Sequence, residues 1–268
     1  MNYGAIAAEL LDRIRSTHPL IHHITNWVVM NDTANATLAL GALPVMAHAR
    51  EEVKEMVGAA GALVLNPGTL FPELVEAMVM AGTRANELGV PVVYDPVGVG
   101  ATRYRSQTGE RLLKELHMAV IRGNSGEIGA LAGAGGVVRG VESVEGVAHP
   151  QVVARELALR RATVVAITGK RDILSDGKRV LGVDNGHEML KTITGTGCMA
   201  TTVVAIFCAV EPDKLIAATS ALACYGLAAE RAARATRGPG SFRSSLFDEL
   251  YHMTPALLEK GTRVVPFA

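Results

Sequence analysis

The segment Thr194-Gly195-Thr196-Gly197-Cys198 has the make-up of an anion site. Glycines just ahead of a helix leave backbone N–H groups unpaired, and the helix dipole adds positive potential, so a phosphate or a developing oxyanion can sit there. Cys198 falls in the first turn of that helix, a position that tends to lower a thiol pKa and would let it act as a base or nucleophile. The same residues also read as a glycine turn packed closely on a sheet beside a small buried thiol, and spacing alone leaves both readings open. Two carboxylates are candidates for a metal. Asp95 opens Asp95-Pro96-Val97-Gly98-Val99-Gly100, and Glu127 stands three residues after Asn124. Mg2+ commonly takes one or two carboxylates and completes its shell with phosphates and waters. The spacing from Asn124 to Glu127 is equally that of a capping box, in which Glu127 only caps its own helix.

Near the N-terminus, His22-His23-Ile24-Thr25-Asn26-Trp27 and the following Asn31, Asp32 and Asn35 are polar for the opening of a domain. Adjacent histidines point weakly to a metal, because neighbouring side chains diverge. Asn31 and Asn35 lie four apart and share a helix face. Gly41-Ala42-Leu43-Pro44-Val45-Met46-Ala47 reads as a turn into a short apolar segment, and Met46 could line a small pocket or fill core. Gly195, Gly197 and Ala200 fit a loose GxGxxA, but that fingerprint belongs to a first strand–helix turn followed by a second strand, and a helical stretch at 215–232 follows here. No Walker A sequence is present.

These residues need a scaffold, and the chain supplies one. Apolar runs at 62–65, 91–94, 118–121 and 163–167 show no alternation, as expected for strands buried on both faces. Helical patterns at 70–88 and 105–116 lie between them, which is the signature of an α/β sheet. The runs end in Asn66, Asp95, Arg122 and Thr168, and ligands of parallel sheets sit beyond the carboxyl ends of the strands, so these four should share one crevice. Further helices are expected over the N-terminal fifteen residues, 199–210 and 215–232, and a Gly/Arg-rich loop at 237–240 precedes the segment 242–260. No linker, repeat or low-complexity tract interrupts residues 1–268, so one domain is the simplest parse.

Composition narrows the function. The 268 residues are 49% hydrophobic and carry 26 basic against 26 acidic side chains, which gives neither the basic stripe of a nucleic-acid binder nor the composition of a disordered chain. Aromatic content of 4% leaves little for base stacking. Cys198, Cys208 and Cys224 are an odd set without CxxC spacing, which speaks against a disulfide framework or a zinc knuckle. The longest apolar stretch, 199–210, is too short to span a bilayer, and a cytoplasmic setting is expected.

Taken in order, His23-Ile24-Thr25-Asn26-Trp27-Val28-Val29-Met30-Asn31 with Ala34-Asn35, Gly41-Ala42-Leu43-Pro44-Val45-Met46, Asn66-Pro67-Gly68-Thr69-Leu70, Asp95-Pro96-Val97-Gly98-Val99-Gly100-Ala101, Ile121-Arg122-Gly123-Asn124 with Glu127, Ile167-Thr168-Gly169 and Thr194-Gly195-Thr196-Gly197-Cys198-Met199 resemble the hydroxyethylthiazole kinase family of thiamine salvage, within the ribokinase-like superfamily. The resemblance implies a mostly parallel central sheet flanked by helices on both faces, with no separate lid domain. It implies ATP-dependent, Mg2+-assisted phosphorylation of the primary alcohol of 4-methyl-5-(2-hydroxyethyl)thiazole. Asp95 and Glu127 would serve the metal and phosphates, and Asn26, Arg122 and Thr168 the ATP. Met46 and the Gly195 backbone would contact the thiazole alcohol, with Gly195, Gly197 and Cys198 at the catalytic turn. A homotrimer with sites between subunits is also implied. Sugar kinases of the superfamily place an Asp where this chain has Cys198, which favours the thiazole alcohol. A hydroxymethylpyrimidine kinase and a non-enzymatic thiazole or nucleotide sensor are the competing readings. The complete phosphoryl-transfer set argues against the sensor.

Overall fold

The computed structural model describes residues 1–133, 137–139, 142–145 and 147–267. The chain runs α1 (Tyr3–Thr17), β1 (Leu20–Ile24), α2 (Met30–Leu40), β2 (Leu43–Val45), α3 (Val53–Gly58), β3 (Ala62–Leu65), α4 (Pro72–Leu88), β4 (Val92–Tyr94), α5 (Arg103–Glu115), β5 (Val120–Asn124) and α6 (Ser125–Ala132). It continues through β6 (Val137–Arg139), β7 (Glu142–Glu145), α7 (Pro150–Arg161), β8 (Val164–Thr168), β9 (Asp172–Ser175), β10 (Val180–Val183), a 3-10 turn (Glu188–Thr192), α8 (Thr196–Val210), α9 (Lys214–Arg234), α10 (Pro239–Tyr251), α11 (Pro255–Gly261) and β11 (Val264–Phe267).

Among the described residues, nine strands form one sheet in the order β11-β10-β9-β8-β5-β4-β3-β1-β2. From β8 to β2 every neighbouring pair is parallel. Strands β9, β10 and β11 extend it antiparallel. The absence of alternation in the apolar runs follows from cover on both faces. In β3, Val64 packs with α1, α2, α8 and α9 residues such as Leu11, Leu40, Val204 and Leu222, while Leu63 and Leu65 pack with Val57, Met78 and Leu112 of α3, α4 and α5. The sheet is therefore mostly parallel with helices on both faces, as expected. Among the described residues no helix is long and apolar enough to cross a membrane.

The chain reverses its direction of travel at β1. The crossover through α2 leads outward to β2 on one face, and the crossover through α3 returns past β1 to β3 on the other. Such a reversal opens a crevice beyond the carboxyl ends of the strands on either side of it.

Strand β5 begins two residues later than the run 118–121 suggested and continues through Arg122, Gly123 and Asn124, whose last partners are Ile167 and Thr168 of β8. Arg122 and Thr168 are thus held by the ladder and not by a loop. The segment 242–260 lies in two helices, α10 and α11. Pro255 disfavours a helical residue before it, so the chain breaks, and the Thr254 side chain caps α11 by accepting the Leu257 N–H at 3.2 Å. The short strand β1 and the antiparallel strands β9 to β11 had no separate signal, because each is brief and gains its pairing only beside the others.

Candidate active site

Each strand end contributes one polar side chain, and the crossings between strands are short enough to join them. Asn26, just past β1, donates from Nδ2 to Asn66 Oδ1 at 2.8 Å. Asn66, just past β3, donates in turn to Asp95 Oδ2 at 3.1 Å. Asp95, just past β4, also accepts the Thr201 hydroxyl of α8 at 2.9 Å, and its Oδ2 lies 3.9 Å from Arg122 Nη1. Arg122 on β5 donates to Thr168 Oγ1 on β8 at 2.5 Å. The four residues expected in one crevice are therefore linked, with Asn26 and Thr201 added to the chain. All but Thr168 are buried.

Helix α8 points its N-terminus at this cluster. Gly195 precedes it with φ +83°, where a Cβ would stand 2.7 Å from Val29 Cγ1, so the turn requires glycine. The first backbone bond of the helix is from Met199 to the Gly195 carbonyl, and no side chain caps it. The Thr196, Gly197 and Cys198 amides precede that bond, which leaves them for an anion. Arg122 lies directly under them: a Cβ on Gly197 would stand 2.8 Å from Arg122 Nη1. A guanidinium and a helix N-terminus thus face one place, the arrangement that binds phosphoryl oxygens.

The carboxylates are strained by burial. Desolvation raises Asp95 above the ordinary carboxylate range, against the lowering influence of Arg122, Thr201, Asn66 and Cys198. Glu127 is pushed up to about 7, first by burial and then by the nearby Asp95 charge. Both Glu127 oxygens accept backbone N–H groups, from Gly98 and from Asn124, each at 2.9 Å, and the Glu127 N–H donates in turn to Asn124 Oδ1. The capping box is therefore real, and Glu127 also pins the loop after Asp95. Two neighbouring buried carboxylates raised together favour a cation beside them. Among the described residues no group of three or more His, Cys, Asp or Glu could enclose a metal. The donor set fits a Mg2+ that takes most of its shell from phosphates and waters.

One expectation is corrected at Cys198. It does occupy the first turn of α8, with Asn26 Nδ2 at 3.8 Å from Sγ. Burial and the Asp95 charge nevertheless push its thiol up to about 12, and these outweigh the lowering from Asn66, Arg122 and Asn26. Helix position alone does not make a thiolate here. Met46 lies half-buried just past β2, beside the end of β1, and no hydrogen bond of its side chain joins it to the cluster. His22 and His23 diverge as adjacent strand residues do: His22 Nε2 donates to the Ala47 carbonyl at 2.8 Å, and His23 Nε2 approaches Thr37 Oγ1 of α2 at 3.4 Å.

Three contributors escaped sequence reasoning. Thr201 shares a helix face with Gly197 and Cys198, and the i, i+4 spacing from Gly197 was the available signal. Arg105 of α5 donates to the Pro67, Gly68 and Val97 carbonyls at 3.1, 2.7 and 3.0 Å, tying the loop after Asn66 to the loop after Asp95. Asp172, raised to about 7 by burial, accepts the Gly169 amide at 2.9 Å and closes the turn after Thr168.

The comparisons with known proteins agree with one another. The family model described as the hydroxyethylthiazole kinase family matches residues 11–256. A hydroxyethylthiazole kinase of Desulforudis audaxviator is 67% identical over 257 residues, covering 96% of this chain and 94% of that protein. The solved structure of a hydroxyethylthiazole kinase protein from Pyrococcus horikoshii superposes with a TM-score of 0.90 at 42% identity, covering 98% of this chain and 99% of that one. A ribokinase-like superfamily protein of Enterococcus faecalis, 13% identical with a TM-score of 0.64 over 91% of this chain and 93% of its own, shares the fold.

Proposed function

The chain belongs to the hydroxyethylthiazole kinase family, and from that premise we propose how its own residues carry the reaction. The activity is transfer of the ATP γ-phosphoryl group to the primary alcohol of 4-methyl-5-(2-hydroxyethyl)thiazole, a step of thiamine salvage. The observation that carries the residue assignment is the convergence of the strand-end chain, Asn26 to Thr168, on the uncapped amides of α8.

Phosphoryl transfer passes through a loose transition state, so positioning and charge neutralisation are the main demands on the protein. Arg122, held by Thr168 and Asp95, and the Thr196–Cys198 amides receive the negative charge that develops on the transferring group. Asn26 and Thr168 orient the nucleotide phosphates. Met46 and the Gly195 backbone hold the thiazole alcohol. Asp95 and Glu127 are the residues that would hold Mg2+, which when bound neutralises phosphate charge. Because its thiol is neutral, Cys198 serves the alcohol as a hydrogen-bond partner; as the alcohol oxygen bonds to the γ-phosphorus and the bond to the ADP oxygen breaks, the alcohol proton passes to an oxygen of the transferred phosphoryl group.

The reading includes a single domain over residues 1–268 and a homotrimer with sites between subunits. Trp27, Val28, Leu38 and Leu43 are 62, 67, 52 and 47% exposed around the edge strand β2 and the crevice, an apolar surface that a second copy would cover. The three cysteines are free, which suits the reducing cytoplasm where ATP is available.

ADP release measured across a small panel of alcohols tests the assignment. The thiazole alcohol should drive turnover far above the others. Preference for hydroxymethylpyrimidine would move the chain to that kinase activity, and tight thiazole binding without ADP release would make it a sensor.

A further inference from the structure

Parallel pairing between β1 and β2 runs from Leu20↔Leu43 to His22↔Val45 and then stops. Met46 begins the first residues beyond the ladder, and Asn26 lies just beyond the matching end of β1. Two imidazoles take over where the ladder ends. His22, fully buried on β1, donates from Nε2 to the Ala47 carbonyl at 2.8 Å. His48 reaches back across the same gap. Its Nδ1 lies 3.2 Å from the Met46 carbonyl, and its Nε2 lies 3.1 Å from the Thr25 amide and 3.0 Å from the Thr25 carbonyl. With the proton on Nδ1, the ring donates to Met46 and accepts from Thr25. Thr25 is itself buried, and Asn26 follows it directly.

From this geometry we infer that His48 is a positioning residue for the acceptor alcohol, because it fixes the Met46 backbone against the end of β1 and so sets the width of the pocket between Met46 and Asn26. The inference rests on the reading that Met46 contacts the alcohol. Of the residues read as serving the nucleotide, Arg122 and Thr168 are anchored on β5 and β8 at the other end of the cluster, and the Asn26 side chain is held by Asn66 Oδ1 at 2.8 Å, so none of the three takes its anchor from this clamp. Loss of His48 should therefore separate the two substrates kinetically.

The test is steady-state ADP release by the full chain, with each substrate varied at saturation of the other. His48→Leu should raise KM for the thiazole alcohol about tenfold, the size expected when two modest hydrogen bonds are lost, with KM for ATP and kcat changed less than about twofold. His48→Asn can still donate to the Met46 carbonyl and should give an intermediate KM. It carries the same comparison if the leucine variant does not fold. An alcohol KM within about twofold of the parent in the folded variant, or a parallel rise in both KM values, overturns the clamp. Met46→Ala separates the two ideas: if it leaves the alcohol KM unchanged, the acceptor reading fails and the clamp falls with it. If it raises that KM while His48→Leu does not, the clamp alone fails.

Discussion

Replacing Thr201 by Val removes one hydroxyl from the cluster and leaves the shape of the side chain almost unchanged. That hydroxyl donates to Asp95 Oδ2 at 2.9 Å, and the Asp95 side chain is only 2% exposed, so solvent neither screens the bond nor replaces it. A hydrogen bond to a buried charge contributes about 1.5–3 kcal/mol, so Thr201→Val should cost about 2 kcal/mol of unfolding free energy. The second Thr201 contact, to the Gly197 carbonyl at 3.4 Å, is long and adds little. Without the hydroxyl, Asp95 keeps Asn66 at 3.1 Å and Arg122 at 3.9 Å but loses its shortest partner. At 1.4 kcal/mol per factor of ten, the competent orientation of Asp95 can fall by at most about 30-fold, and kcat/KM should drop about tenfold within that bound. Urea unfolding and ADP release measure the two quantities. Repeating the urea unfolding in an Asp95→Ala background, which removes the acceptor, isolates the pair, and there the Thr201→Val cost should shrink below about 0.5 kcal/mol. Equal costs in the two backgrounds, or a Thr201→Val enzyme within about twofold of the parent in kcat/KM, would refute the argument that Thr201 acts through Asp95.

Gly197→Ala brings a Cβ to 2.8 Å from the buried Arg122 Nη1 and must displace it from Thr168. The helix itself gains at most about 1 kcal/mol from alanine, less than the buried hydrogen bond of Arg122 contributes, so thermal melting should fall slightly while KM for ATP increases about tenfold. Cys198→Ala should keep measurable kcat, because the neutral thiol is not a resident base, and Cys198→Asp should remain active. A Cys198→Ala enzyme with no turnover would restore the base role. His23 is fully buried, with burial foremost lowering its pKa to about 3, so the unfolded chain binds a proton there below pH 6.5 that the native chain does not. Stability should therefore fall with acidification between pH 6.5 and about 3, by about 1.4 kcal/mol per unit from this site. Unfolding curves of His23→Leu should show a correspondingly flatter pH dependence.

Much of this protein could be read locally. An apolar run without alternation must be covered on both faces, and a polar residue after such a run must face the open end of the sheet, so Asn66, Asp95, Arg122 and Thr168 declared their common crevice in one dimension. Glycines at 195 and 197 announced a helix N-terminus for the same reason: the signal lies within one turn of chain. Contacts between distant segments left no such trace. Thr201 meets Asp95 across 106 residues, Asn26 meets Cys198 across 172, and Arg105 ties the loop after Asn66, whose Gly68 and Pro67 it trails by 37 and 38, to the loop after Asp95. The Cys198 thiol illustrates the difference: its place at the start of a helix, legible in the chain, argues for a lowered pKa, yet burial and the Asp95 charge raise it. Residue type and spacing settle which groups can do chemistry. Their protonation and partners depend on the dielectric and the charges that folding gathers around them, and these arise only when the sheet brings its strand ends together.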